Sequence, residues 1–278
     1  MKIRSYLALW ASGSVALCLA AAPHLNAWPV REQQTIQKTF TLSGASMQLV
    51  VKNVNGWVHV TGIGGSQVHV TAHKTIRAET DSDVQQAKRE VHLDMTDQAG
   101  TVTVAYHGPN HSGHRTYNVR YDIDVQVPRN ARTDVGTVNG PIVVGGVAGH
   151  FDVHSVNGAV AMTGIAGSGD VHTVNGAISV HFTRNPSAAS SFKTVNGAVD
   201  AYFQKGLAAD LRFQTLHGGI YSDFDVSSTA AANASASVEH NGKFVYRSSR
   251  IGTARVGAGG PELSFDTLNG SIRLHREQ

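Results

Sequence analysis

Fifteen histidines in a chain of 278 residues raise the prospect of metal binding. Three of them, His107, His111 and His114, fall within the run His107-Gly108-Pro109-Asn110-His111-Ser112-Gly113-His114. Neutral imidazoles ligate zinc or copper, and histidine-rich tracts do so. The run also contains two glycines and a proline, which fix no geometry, and no nearby carboxylate that would orient the rings. A solvated loop is therefore expected here, with no specific metal site and no cofactor. His154 and His172 recur in matching contexts, Asp152-Val153-His154-Ser155 and Asp170-Val171-His172-Thr173. If those segments stack, the His and Asp residues form outward columns. Such columns are a candidate ligand strip or pH-sensitive patch, against the simpler reading of polar residues on a solvent face.

Other reaction chemistries lack their parts. The single cysteine, Cys18, sits in an N-terminal apolar run, so thiol and disulfide chemistry leaves with that run if it is removed. No Gly-x-Ser-x-Gly elbow occurs, and no histidine pair flanks a glutamate in the zinc-protease manner. The segments Gly62-Ile63-Gly64-Gly65 and Gly164-Ile165-Ala166-Gly167-Ser168-Gly169 are followed by neither a lysine nor a helix, so they read as turns and not phosphate cradles. A glycan- or metal-handling β-helix enzyme is the remote alternative, because the outward columns hold no carboxylate cluster beside Arg and Lys. No enzyme is expected. Nucleic acid is not an expected partner either, since the net charge is only +3.

Residues 1–27 read as a secretory signal: Lys2 and Arg4 precede an apolar run from Tyr6 to Ala22, and Ala27 offers a small residue at the cut. At this length the run is at the short limit for spanning a bilayer, so no membrane span is expected after cleavage. The mature chain would be close to neutral and free of thiols, located in the periplasm, at the cell surface or outside the cell.

The elements that must position the histidines come from a repeat. Val-Asn-Gly or a variant occurs at Val54-Asn55-Gly56, Val138-Asn139-Gly140, Val156-Asn157-Gly158, Val174-Asn175-Gly176 and Val195-Asn196-Gly197. Degenerate copies are Leu216-His217-Gly218 and Leu268-Asn269-Gly270. From residue 138 the spacings are 18, 18, 21 and 21, then 52. Valine outnumbers leucine 33 to 14 and 21 threonines add further β-branched residues, a balance that favours strands. Asn-Gly is a strong turn signal because both residues tolerate φ > 0. A period of 18–21 residues suits one coil of a β-solenoid, in which equivalent residues stack about 4.8 Å apart. The expected fold is all-β, a β-helix-like stack of such coils. Val135, Val153, Val171, Phe192, Phe213 and Phe265 would line its interior, and Lys193, Gln214 and Asp266 would continue the His column outside. A meander of β-hairpins turning at each Asn-Gly is the alternative. Small residues follow most of the turns, at Ala159, Ala177, Ala198 and Gly219, where the first copy has Trp57, a candidate stacking residue.

Residues 28–131 form a β-rich part continuous with the repeat part 132–276. Strands alternate at Thr39–Leu42, Met47–Lys52, Trp57–Thr61, Val68–His73, Val91–Thr96, Thr101–Tyr106 and Tyr117–Val127. One short helix is expected near 82–91, opened by Ser82-Asp83-Val84-Gln85 as a capping box. The Ser/Ala-rich stretch 226–238 reads as a loop, followed by a hairpin at Asn241-Gly242.

Val127-Pro128-Arg129-Asn130-Ala131, the following Thr-Val-Asn-Gly units and the closing Leu263-Ser264-Phe265-Asp266-Thr267-Leu268-Asn269-Gly270-Ser271-Ile272 resemble the bacterial exported "putative adhesin" family. These are β-strand-repeat domains of unknown function, and the resemblance covers roughly residues 36–276. It implies a repetitive β-structure in a cell-envelope protein and brings no catalytic residues. The expected function is an adhesin-like binding or structural module whose partner is an envelope or surface protein, a glycan or its own copies. A non-catalytic envelope regulator that binds a membrane protein is the second reading. Candidate surface residues are Trp57, Asp152, His154, Asp170 and His172.

Overall fold

The computed structural model describes residues 28–42, 47–109, 116–228, 238–240, 243–246 and 252–277. The signal segment 1–27, His111 and His114, Asn241-Gly242 and most of the 226–238 stretch lie outside the described residues. At the margins of that stretch, Val226–Ser228 and Val238–His240 are strands. Two sheets, of twelve and eleven strands, hold all the strands of the described chain. At each of the seven repeat corners, residues before the turn belong to the eleven-stranded sheet and residues after it to the twelve-stranded one, whereas Val238–His240 and Lys243–Tyr246, on either side of Asn241-Gly242, pair antiparallel within the twelve-stranded sheet. Thus Gly169–Asn175 lies in one sheet and Ile178–Phe182 in the other, and the same division holds for Ser190–Asn196 and Val199–Phe203.

This division excludes hairpins at these sites, because a hairpin would pair its two flanking strands with each other. Asn-Gly is a corner between sheets. Successive copies instead pair in parallel and in register, Val135 to Val153 to Val171 to Phe192. The inward residues are sealed from solvent: Val135, Val153, Phe192 and Phe265 are fully buried, as are Ile142, Ile178, Val199 and Ile272 on the facing sheet. Each inward residue alternates with an outward one along its strand, as the pleat requires.

Glycine is needed at the corner for a reason other than turn geometry. Of the seven corner glycines only Gly56 is in the left-handed region, at φ 120°. At the others the constraint is the neighbouring copy of the repeat. A Cβ on Gly158 would lie 1.9 Å from the carbonyl oxygen of Gly140, and one on Gly176 would lie 2.2 Å from that of Gly158. The asparagines form a ladder on the same corner. Asn139 donates its amide to Asn55 at 2.9 Å, Asn157 to Asn139 at 3.0 Å, Asn175 to Asn157 at 2.8 Å, Asn196 to Asn175 at 2.8 Å and Asn269 to Asn196 at 2.7 Å. Each side-chain amide thus both donates and accepts, as stacked asparagines do in in-register β-structure.

The hydroxyl two residues before the asparagine, present in every copy but the first, where Asn53 stands, adds a second ladder, inside. Thr173 donates to the Gly158 carbonyl at 2.9 Å, Thr194 to Gly176 at 2.8 Å and Thr267 to Gly197 at 2.9 Å. Thr173 is fully buried, so Thr173→Val, which keeps shape and removes the donor, is expected to cost about 1–2 kcal/mol in urea unfolding.

The order of copies departs from the order of the chain at both ends. Glu262–Asn269 inserts between Ser190–Asn196 and Ala209–His217, so the aromatic column runs Phe192, Phe265, Phe213 and not in chain order. The outward column likewise runs His172, Lys193, Asp266, Gln214. At the other end Gln48–Lys52 inserts between Thr101–His107 and Arg132–Asn139. Since Gln48–Lys52 and Val58–Ile63 pair directly with the strands of residues 132–145, the two sheets run on through the N-terminal part.

Antiparallel strands complete both ends. Val30–Thr41, Gln67–Ala78 and Tyr117–Pro128 pair antiparallel at the N-terminal end. Gly252–Val256 and Lys243–Tyr246 do so at the other. The helix Asp81–Glu90 packs on the N-terminal end and buries Val84 and Ala87. Its cap is Thr80, not Ser82: the Thr80 hydroxyl accepts from the Asp83 N–H, and the Asp83 carboxylate accepts from the Thr80 N–H. Lys74, buried beneath it, donates to the Val91 carbonyl at 2.7 Å, and burial holds its ammonium below the usual lysine pKa.

Candidate binding faces

The outer face of the eleven-stranded sheet carries the residues singled out by the repeat. Asp134, Asp152 and Asp170 are adjacent in register, and beside them runs Gly136, His154, His172, Lys193, Asp266. The ring of His154 lies over Gly136, where a Cβ would come within 2.2 Å of its Nε2. Its Nδ1 is 4.0 Å from Asp152, and Lys193 pairs with Asp266 at 3.4 Å. Partial burial, then the charges of Lys193 and His154, hold the His172 imidazole below its usual pKa, with Asp266 opposing. Asp152, His154, Asp170 and His172 therefore line up as columns, but they do not bring three ligand atoms to one point.

Next to that column stands an aliphatic ridge that the sequence reading treated only as part of the turn. Val138, Val156, Leu268 and Leu216 are the residues just before Asn or its His217 equivalent, and they are 38, 39, 43 and 48% exposed. A shallow open groove lies between ridge and column, lined by Lys193, Val195, Gln214, Leu216, Asp266 and Leu268. Trp57 is not part of this ridge. It is half-buried, and its backbone N–H donates to Asp122 at 3.1 Å.

The twelve-stranded sheet has an aromatic column of its own. His181 and Tyr202 stack at 3.8 Å and 8°, and Tyr202 and His275 at 4.4 Å and 19°. Charges flank the stack: Asp200 with Arg273 at 3.2 Å and with His275 at 3.4 Å, and Glu277 with His181 at 3.0 Å. The signal was present in the sequence. Each ring lies three residues beyond the aliphatic that follows an Asn-Gly corner, Ile178, Val199 or Ile272.

His107 meets different partners from those its sequence neighbours suggest. The hairpin of His92–Gln98 and Thr101–His107 pairs His92 directly with His107 and puts Asp94 on the same face. The His107 Nε2 is 3.2 Å from Asp94 Oδ2, and the His92 Nε2 is 3.6 Å from Asp94 Oδ1. The two rings are nearly parallel, with centroids 5.4 Å apart at 11°. The carboxylate absent from the histidine tract is supplied across the hairpin, 13 residues earlier in the chain.

Solved structures to which the chain is similar include a "putative cell adhesion protein" from Clostridium sporogenes, at 11% identity and a TM-score of 0.42, covering 88% of this chain and 100% of that one. A "putative adhesin" from Bacteroides fragilis shares 9% identity at a TM-score of 0.38, covering 88% of this chain and 97% of that one. A "putative adhesin" from Parabacteroides distasonis shares 12% identity at a TM-score of 0.25, covering 87% and 97%. The last two carry the name of the family that the sequence resembles. No family model matches the chain, and no curated protein does. Among the described residues no helix is long and apolar enough to cross a membrane.

Proposed function

We propose that the chain is an exported two-sheet β-solenoid that serves as a non-catalytic, adhesin-like binding module of the cell envelope. The observation that carries this reading is the outward aliphatic row Val138, Val156, Val174, Val195, Leu268, Leu216, exposed at its two ends and half-buried at Val174 and Val195, beside a polar and charged column. Exposed aliphatic side chains in a row, rimmed by polar groups, are what a protein-binding surface presents. Long parallel faces offer many weak contacts at one spacing, which suits attachment to an extended partner.

The test uses the signal-cleaved chain and measures its retention on intact cells and on their isolated surface proteins. Leu216→Asp with Leu268→Asp is expected to lower retention at least tenfold while leaving the circular dichroism spectrum unchanged, since losing two exposed side chains that a partner would bury exceeds about 1.4 kcal/mol. Retention that survives these substitutions, or turnover of a surface glycan by the purified chain, would overturn the proposal.

A further inference from the structure

We propose that His92, Asp94 and His107 form a binding site for one zinc-class divalent ion on the outermost hairpin of the eleven-stranded sheet. The register makes the site. The hairpin loop consists of Ala99 at φ 51° and Gly100 at φ 79°, so both turn residues are left-handed and Gln98 pairs with Thr101. A two-residue loop of this kind admits one register. Counting back from it places His92 opposite His107, with Asp94 two residues along on the same side of the strand.

The distances fit an ion. Zinc binds imidazole nitrogen and carboxylate oxygen at about 2.0–2.2 Å, so ligands of a tetrahedral ion lie about 3.3 Å from one another. The two His–Asp separations, 3.2 Å to Oδ2 and 3.6 Å to Oδ1, are near this value, and a turn of the exposed carboxylate presents one oxygen to both rings. All three ligand atoms lie within 4.8 Å of one another, so rotation of the two exposed rings closes the His–His side. The side chains are 58, 49 and 54% exposed in chain order, which leaves the ion an entry path and at least one open coordination position.

The donor set selects the ion. Two imidazoles and one carboxylate suit zinc, copper(II), nickel or iron(II), whereas calcium and magnesium take oxygen ligands. Bound there, an ion would cross-link an edge strand to its neighbour, because among the described residues His92–Gln98 pairs with Thr101–His107 alone. The open position would also accept a donor from a surface partner.

The experiment titrates zinc into the chelator-treated, tag-free full chain by calorimetry, with cobalt(II) absorption reporting coordination. One equivalent is expected. His92→Ala, His107→Ala and Asp94→Asn are each expected to weaken it about tenfold or more, at least the effect of losing a group that merely supports a ligand. His111→Ala with His114→Ala is expected to leave it unchanged. Thermal unfolding of each variant without metal controls for folding. No zinc uptake, uptake indifferent to His92→Ala and Asp94→Asn, or uptake abolished by the His111/His114 pair would overturn the assignment.

Discussion

Gly158→Ala is expected to destabilise the protein by about 3 kcal/mol or more, the upper end of overpacking costs. The added Cβ would stand 1.9 Å from the Gly140 carbonyl oxygen and 2.4 Å from its carbon. Both are backbone atoms of the adjoining coil, so no side chain can swing away to make room. Separation of the coils would strain the Gly140 N–H to Asn157 carbonyl bond of 3.1 Å and the Ile142 N–H to Ala159 bond of 3.0 Å. Gly64→Ala is the control: nothing lies within 4 Å of a Cβ there and its φ is not in the left-handed region. It is expected to change stability by less than about 0.5 kcal/mol. Urea unfolding of both variants checks the pair, and an unchanged midpoint for Gly158→Ala would refute stacking as the reason for the corner glycines.

Phe265→Ala is expected to cost about 3–5 kcal/mol, as for other fully buried rings. Phe265 stacks on Phe192 at 5.3 Å and 17° and on Phe213 at 5.6 Å and 21°, and meets Phe203 edge-on at 6.4 Å. Its position in the topology enlarges the effect. Ala209–His217 and Ile220–Ser222 reach the rest of the body through the strands Glu262–Asn269 and Ile272–Arg276, with no pairing to Ser190–Asn196 or Val199–Phe203. Loosening the inserted copy should therefore release the copy that precedes it in sequence. Hydrogen exchange is expected to show amides of Ala209–His217 losing protection together with those of Glu262–Asn269, while Gly169–Asn175 stays protected. Uniform loss across all copies would refute this local coupling.

Much of the architecture could be read from residue order because it is local. Alternation of apolar and polar residues along seven or eight positions sets which side chains face inward, and Val153, Val171 and Phe192 are recognisable from it alone. The helix was equally legible, although its cap falls two residues earlier than expected, because Thr80 has Asp83 at the right distance to return its bond. The corner was legible as a motif and misread as a mechanism: Asn-Gly suggests left-handed turn residues, whereas the backbone of the next coil sets the requirement. That contact joins residues 18 apart in one case and 73 apart in another, so no short window contains it.

The histidines show the same division. Three in a row, His107, His111 and His114, drew attention by their spacing, yet His107 finds its partners in His92 and Asp94 across a hairpin. Counting outward from the turn at Gln98-Ala99-Gly100 would have located them. The aliphatic ridge follows from alternation, since Val138 and Leu216 stand three residues beyond inward Val135 and Phe213, although their residue types alone would mark them as buried.

By itself the sequence determined the β class, the spacing of the repeat, the inward residues and the helix near residues 81–90, all consequences of short-range patterning and backbone preference. The tertiary structure decided three things: the order in which the copies stack, the reason each corner must be glycine, and the company His107 keeps. The physical reason is common to all three. They depend on which distant strand supplies the next set of hydrogen bonds, and near-identical repeats offer several strands with equally good edges until the whole chain is in place.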